Sequence, residues 1–230
     1  MATVRFSPRK KNSMFGSLSV TFILIIVNVA VFFLFYLYLA FSGISDVAGL
    51  ESVYNYVALK PSNIFQGMYL WTFLTSMFMH GGFFHIFANM FSLLFIGTFI
   101  ERILGKKRYF WFYMISGLAA GAFFVLLSLV FPSDFNAFAV GASGALFGVA
   151  GLMVILTPNL PLYVMFIPIP IKAKYAIPGL LVVLWLVSIA GDIPIGNTAH
   201  FGGLLAGIVY GIYLRKKYKR KTVMISRNFS

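Results

Sequence analysis

The sequence predicts an all-α polytopic membrane protein: a bundle of six transmembrane helices with both termini in the cytoplasm and a long, partly membrane-immersed first loop. The first observation is composition, since 60% of the 230 residues are hydrophobic, 10% are charged and the mean hydropathy is +0.92. The second is that several apolar runs approach or exceed the roughly 18–20 residues that cross a bilayer. The third is that basic residues gather at the ends of these runs, as in helical membrane proteins. The short alternating segments typical of outer-membrane barrels are absent.

The first apolar run, about residues 18–42, follows a basic N-terminal segment, residues 1–17. We expect a transmembrane helix there, because the run is too long for the apolar part of a signal peptide and no small-residue cleavage site follows it. Residues 43–79 form a long connection whose second half is rich in aromatic residues and Met. That composition favours an interfacial, partly immersed segment, with Tyr69 and Trp71 at the depth of the lipid headgroups.

Five further runs complete a membrane domain that we expect to cover residues 18–214. They lie at about residues 82–103, 109–131, 142–157, 175–191 and 198–214, and a basic cytoplasmic tail, residues 215–230, follows. Pro132 and Pro158 are expected to end the third and fourth helices. The fourth helix would measure only about 24 Å at roughly 1.5 Å per residue. Its first residues are therefore expected to lie inside a hydrocarbon core about 30 Å thick.

Charge gives the expected orientation. In a soluble chain a net charge of +13 would suggest nucleic acid, but these basic residues flank apolar runs, so the expected partner is the lipid bilayer and not a nucleic acid. With a cytoplasmic N-terminus and six crossings, every Lys and Arg except Lys60 is cytoplasmic, which is 17 of the 18. The same six-crossing topology brings Ser143, His200, His85 and Asn89 to one depth near the outer surface.

Because Cys is absent, disulfide and thiolate chemistry are excluded.

Ser143 lies among small residues, Gly141-Ala142-Ser143-Gly144, which leave its hydroxyl accessible to a neighbouring helix. A serine hydroxyl becomes a nucleophile when a base takes its proton, and neutral His is the usual base. His200 can serve only if the fourth and sixth helices pack closely. The glycine pairs that favour such packing are Gly144 with Gly148 and Gly203 with Gly207, each spaced i, i+4. Phe147, four residues after Ser143, shares its face and is expected to stack on the His200 ring.

His85 and Asn89 lie one turn apart on one face of the second helix. With the backbone N–H of Ser143, they are suited to stabilise the oxyanion of an acyl transfer. No carboxylate is placed as a third member, since Asp192 precedes His200 by eight residues across a turn, so we expect a Ser–His dyad. Simpler interpretations stay open: Ser143 as a packing residue, and the His–Asn pair as an interhelical clamp. The histidines lack the spacing and partners of a zinc site, so neither a metal nor a cofactor is expected.

These residues resemble the rhomboid family of intramembrane serine proteases. The matching motifs are Gly141-Ala142-Ser143-Gly144 for G-x-S-G, Ala199-His200-Phe201-Gly202-Gly203 and Gly207 for A-H-x-x-G-x-x-x-G, His85 and Asn89 for H-x-x-x-N with His80 upstream, and Glu101-Arg102-Ile103-Leu104-Gly105. The resemblance covers about residues 18–214. It implies Ser143 as nucleophile, His200 as base, and His85, Asn89 and the Ser143 N–H as oxyanion donors. It also implies cleavage of transmembrane segments that enter laterally near the second and fifth helices.

One position departs from the family pattern. The Trp-Arg pair common in the family's first loop is Trp71-Thr72 here. This chain therefore lacks the Arg side chain to which anchoring is credited in the family.

The sequence therefore predicts a serine endopeptidase acting inside the membrane on other membrane proteins. The alternative is an inactive rhomboid-like protein that binds or escorts membrane clients. A transporter or channel with a His and Asn relay is a third hypothesis, although paired discontinuous helices are absent. We expect a multi-pass protein of a prokaryotic plasma membrane, with its active site open to the extracytoplasmic side. The oligomeric state, substrate and cleavage site are not set by the sequence.

Overall fold

The structure is a computed structural model that describes residues 18–164, 168–191 and 195–227. The six long helices of the described residues are α1 (Val20–Phe41), α2 (Phe83–Leu104), α3 (Lys106–Leu127), α4 (Ser143–Leu156), α5 (Ala173–Gly191) and α6 (Asn197–Lys217). A shorter helix, α7 (Lys219–Arg227), follows α6. The middle of α2, Leu93–Gly97, is wound as a π-helical turn.

Four of these helices, α1, α2, α3 and α5, are long and apolar enough to cross a membrane. Helix α4 is apolar but has only 14 residues, and α6 ends in three basic residues. The predicted class, an all-α polytopic membrane protein, is confirmed. Six crossings and cytoplasmic termini stay predictions.

The first loop, residues 43–79, is folded into short helices. They are Val47–Val57, Pro61–Phe65, Thr72–Thr75 and the 3₁₀ turn Ser76–Phe78. Asp46 caps the first of them by accepting the Gly49 N–H at 3.2 Å. Leu59 then pairs with Ala139 through two backbone hydrogen bonds of 3.0 and 2.8 Å. This pairing ties the loop to the chain just before α4.

Helix α3 differs from its predicted bounds at both ends. It begins at Lys106, because Gly105 at φ +78° turns the chain directly from α2 into α3. It ends at Leu127, and Pro132 begins a short helix, Pro132–Phe135. The expectation that Pro132 ends the third helix is therefore wrong. Pro suits a first helical position because its missing N–H has no partner there anyway.

The C-terminal basic segment is helical. Helix α6 continues to Lys217, since Lys and Arg are good helix formers and cations are favoured at a helix C-terminus. Helix α7 follows directly. Between α4 and α5, Pro161–Leu162 pairs antiparallel with Ile171–Lys172, a two-residue ladder without a signal in the sequence.

Helix α4 lies at the centre of the bundle, and its residues from Gly144 to Met153 are all buried. It packs mainly on α6 and α3. A Cβ on Gly144 would lie only 2.7 Å from the Cβ of Ala120, and Gly148 abuts Ser116 in the same way. Such close backbone approach gives helix packing in lipid its van der Waals energy, since the hydrophobic effect contributes little there.

Glu101, near the end of α2, caps the start of α1. One carboxylate oxygen accepts the Val20 N–H at 2.8 Å, and the other accepts the N–H and the hydroxyl of Thr21 at 2.9 and 2.8 Å. A carboxylate is stabilised at a helix N-terminus by the free N–H groups and the macrodipole. The contact therefore fixes α1 against α2.

Candidate active site

Ser143 is the first residue of α4, and the turn before it is held by the first loop. The Gly141 N–H donates to the Ser76 carbonyl at 2.8 Å, and Gly141 has φ +121°, a conformation that glycine alone adopts readily. A Cβ at Gly141 would also lie 2.7 Å from Nε2 of His85 and 3.6 Å from Oγ of Ser143. Glycine is thus required here twice, for the backbone turn and for the space between two predicted site residues.

His200 lies in the first turn of α6 and meets Ser143. Its Nε2 is 2.7 Å from the serine Oγ, a good distance for a hydroxyl donating to an unprotonated imidazole nitrogen. The His200 ring is buried, while Ser143 is half-buried. The serine can therefore be reached from one side while its hydrogen-bonded partner is shielded.

Glycines explain why these two helices meet at this depth. A Cβ on Gly203 would overlap the Gly144 carbonyl oxygen, and one turn further a Cβ on Gly207 would overlap that of Gly148. The two backbones are therefore in direct contact below the Ser143–His200 pair. Any larger residue would push α4 and α6 apart and lengthen the hydrogen bond above.

Phe147 covers one face of the His200 ring. The two ring centroids are 4.6 Å apart with an interplanar angle of 21°, a stacked arrangement. Nδ1 of His200 is buried and has no hydrogen-bond partner in the part of the chain that the structure describes. Asp192, the acidic residue considered from the sequence, lies outside the described residues.

His85 lies close to this pair on α2, and Asn89 lies one helical turn further along the same helix. Nε2 and Cε1 of the His85 ring lie beside Gly141, which also lies close to Ser143 Oγ. Asn89 is buried, and its amide donates to the His85 carbonyl at 2.8 Å. That bond uses one of the two amide hydrogens and fixes the side chain on the face it shares with His85.

His80 is a neighbour of the site to which the sequence analysis gave no role. Its Nε2 accepts the Ala142 N–H at 3.5 Å, and its ring meets that of His85 edge to face at 5.1 Å. Burial lowers the pKa of His80 to about 4, with the nearby His85 a smaller cause, so the ring is neutral near pH 7 and able to accept. The spacing of His80 from His85 was the only sequence signal for this contact.

Thr72, which stands where the family pattern has Arg, closes a local turn. Its hydroxyl donates to the Tyr69 carbonyl at 2.7 Å, and Tyr69 has φ +54°. The neighbouring Trp71 donates its indole N–H to the Tyr56 carbonyl at 2.9 Å. The first loop is therefore anchored here by backbone carbonyls.

A second link reaches the start of α6 from the connection before α4. The Thr198 hydroxyl donates to a carboxylate oxygen of Asp134 at 2.7 Å. Thr198 is buried and precedes His200 by two residues.

Among the described residues, no cluster of three or more His, Cys, Asp or Glu side chains could hold a metal ion.

Comparisons with known proteins give one family. The family model described as Rhomboid domain matches residues 68–217. RHOMBOID-like protein 5 of Arabidopsis thaliana is 37% identical over 152 residues, which are 64% of this chain and 46% of the relative. Rhomboid protein 1, mitochondrial, of Saccharomyces cerevisiae is 31% identical over 160 residues, 64% of this chain and 42% of the relative.

A third relative has a name that marks it as inactive. Inactive RHOMBOID-like protein 8 of Arabidopsis thaliana is 31% identical over 140 residues, which are 60% of this chain and 36% of the relative. The matched part is thus less than half of the length of each of these three relatives.

Proposed function

The chain belongs to the rhomboid family, and from this premise we propose that it is an intramembrane serine endopeptidase that cleaves transmembrane segments of other membrane proteins. Family membership supports a protease-like function in a membrane. The single observation that carries the finer proposal is the 2.7 Å distance between Ser143 Oγ and His200 Nε2. These residues are 57 positions apart in the chain, and this contact is the one that general-base activation of a serine requires.

In the proposed reaction, His200 takes the hydroxyl proton of Ser143 while Oγ attacks the carbonyl carbon of the scissile peptide bond. His200 then gives that proton to the leaving nitrogen as the C–N bond breaks, and an ester to Ser143 remains. Water attacks the ester and loses a proton to His200, which returns it to Ser143 Oγ as the carboxyl product leaves. Phe147 holds the imidazole plane through both proton transfers.

The developing oxyanion is proposed to accept hydrogen bonds from the Ser143 N–H, His85 and Asn89. As the first residue of α4, Ser143 has an N–H without an acceptor inside the helix. Asn89 keeps one amide hydrogen beyond the one that it donates to His85. Gly141, Gly144, Gly203 and Gly207 would act by packing, since they set the distances between α2, α4 and α6.

The proposed topology has six crossings, cytoplasmic termini and a membrane domain of residues 18–214 between a basic N-terminal segment and a basic tail. Substrate helices would reach Ser143 laterally through the bilayer, and neither nucleic acid nor a cofactor takes part. The relatives named above are eukaryotic and one is named mitochondrial, so they do not support a prokaryotic plasma membrane, which stays an expectation from sequence.

The test is cleavage of a reporter transmembrane substrate by purified protein in detergent or liposomes. Wild type should cut, and Ser143→Ala and His200→Ala should be silent. Ser133→Ala, the same chemical change at an exposed serine between α3 and α4, should cut like wild type. Equal cleavage by all four proteins would trace the activity to a contaminant and remove support for the dyad.

The relative whose name marks it inactive favours one alternative, a rhomboid-like protein that binds membrane clients without cutting them. A fluorophosphonate probe separates the two functions, because it reacts with an activated serine regardless of the substrate. Labelling that Ser143→Ala abolishes would support the protease even if the chosen reporter is not cut. Absence of labelling together with capture of uncut clients would support the alternative.

A further inference from the structure

A groove lies between α3 and α6 and reaches the basic end of the bundle. It encloses about 410 Å³ and is lined by Lys107, Arg108, Trp111, Ile115, Ala206 and Tyr210, residues that we call the basic groove. Tyr210 follows His200 by ten residues, which is about 15 Å along α6. None of the candidate active-site residues lines the basic groove.

The chemistry of the basic groove changes along its length. Lys107 and Arg108 are exposed at one end, while Trp111 and Ile115, 56% and 60% exposed, form an apolar wall one and two turns deeper. The distance from Lys107 to Ile115 is about 12 Å along the helix. A bilayer shows the same order of chemistry from its surface inward, with charged headgroups, then an aromatic interface, then hydrocarbon.

The cationic end has no carboxylate partner within the described part of the chain. The salt bridge found among the described residues joins Lys60 to Glu51 in the first loop. The carboxylate of Glu101 is already bonded to the start of α1. The Arg108 guanidinium lies over the Tyr218 ring at 5.7 Å, which orients it without neutralising it. Phe112 and Tyr210 stack at 4.8 Å and make a rigid floor.

We propose that the basic groove binds one anionic phospholipid, with the phosphate at Lys107 and Arg108 and an acyl chain along Trp111, Ile115 and Ala206. Charge complementarity selects an anionic over a zwitterionic headgroup, because the two cations have no carboxylate partner among the described residues. The apolar wall selects a lipid over a free phosphate. The volume lies in the roughly 300–1,000 Å³ range of ligand sites.

The experiment is native mass spectrometry of the full chain from mixed micelles that contain phosphatidylglycerol or phosphatidylcholine with the same acyl chains. Wild type should retain phosphatidylglycerol preferentially. Lys107→Gln with Arg108→Gln should weaken that binding on the order of tenfold or more, since each basic side chain near a headgroup contributes substantially. Lys172→Gln with Lys174→Gln, which removes the same charge outside the basic groove, should change it less than about twofold.

A second variant tests the acyl-chain path with the charges in place. Ala206→Phe fills part of the proposed acyl-chain path and should lower phosphatidylglycerol retention, with thermal unfolding measured alongside. If that variant unfolds, Ile115→Asn at an exposed wall position carries the same expectation. Binding unchanged in the Lys107 and Arg108 double variant, an equal loss in the Lys172 and Lys174 variant, or displacement by millimolar inorganic phosphate would each overturn the proposal.

Discussion

Four buried polar atoms in or near the candidate site have no protein partner within the described residues. They are the amide oxygens of Asn89 and Asn197 and the Nδ1 atoms of His80 and His200. Buried polar atoms in folded proteins nearly always find a hydrogen-bond partner. A water molecule can bridge such atoms, and we expect water or substrate groups to complete the hydrogen bonding of these four.

At the residue scale, Asn89→Ala tests the proposed oxyanion site. If the Asn89 amide bonds the oxyanion only in the transition state, kcat should fall about 10²-fold or more while KM changes little. The measurement is steady-state cleavage of the reporter substrate. Asn55→Ala removes an amide that accepts a 2.7 Å bond from Asn63 in the first loop and should leave kcat near wild type. An Asn89→Ala enzyme with wild-type kcat would leave Asn89 as a structural clamp.

At the scale of elements, the contact between α4 and α6 decides whether the dyad forms. It is made by backbone atoms at Gly144, Gly148, Gly203 and Gly207, so it tolerates almost no added volume. A rigid backbone contact below the site keeps Ser143 and His200 at hydrogen-bond distance without a network of side chains. The glycine contacts therefore control the Ser143–His200 hydrogen bond through the distance between α4 and α6.

Gly207→Ala should be strongly destabilising, by about 2 kcal/mol or more, because the new methyl meets the Gly148 carbonyl and the Leu152 N–H. Gly179→Ala is the matched control in α5, where a Cβ meets nothing within 4 Å. That control should be neutral or stabilising by about 0.5–1 kcal/mol, since Ala loses less backbone entropy in a helix. Thermal unfolding and reporter cleavage measure both, and equal behaviour of the two variants would argue against a tight α4–α6 contact.

The bond from Thr198 to Asp134 is expected to hold the first turn of α6, and with it His200. Thr198→Val keeps the shape and removes the donor, so stability should fall by about 1.5–3 kcal/mol, as for other hydrogen bonds to a charged group. If the bond positions His200, kcat should fall more than KM rises. Asp134→Ala combined with Thr198→Val should cost less than the sum of the single changes in unfolding and kinetics, and strict additivity would show that the two residues act independently.

At the scale of the whole molecule, we predict that the short helix α4 crosses the membrane. The chain contains no Cys, so single cysteines can be placed on a clean background. Ser133 precedes α4 and Lys172 follows it, and both are exposed. In the six-crossing topology, a membrane-impermeant maleimide should label Ser133→Cys from the outer side and Lys172→Cys only after permeabilisation. Labelling of both from one side would exclude a crossing by α4.

Much of the fold was predictable from the sequence because the signals are local. A run of apolar residues ended by charges or proline marks a helix wherever it packs, so the six long helices lie within a few residues of their predicted positions. Helix α3, which begins three residues and ends four residues before its predicted bounds, shows the limit of such signals. A proline can end one helix or begin the next, and Pro132 begins a short helix here. The other end of α3 is set by Gly105, whose backbone conformation turns the chain directly from α2 into α3.

The residues of the candidate site were also evident in sequence, since Ser143, His200, His85 and Asn89 stand out as polar positions within apolar helices. What the sequence by itself determined is thus the membrane class, the helices and the chemical groups available. Only the tertiary structure decided the 2.7 Å Ser143–His200 contact, the Glu101 cap on α1 and the place of His80 beside Ala142. Each of these joins residues more than 50 positions apart, and such pairings depend on which helix faces meet, a property of packing that no local pattern records.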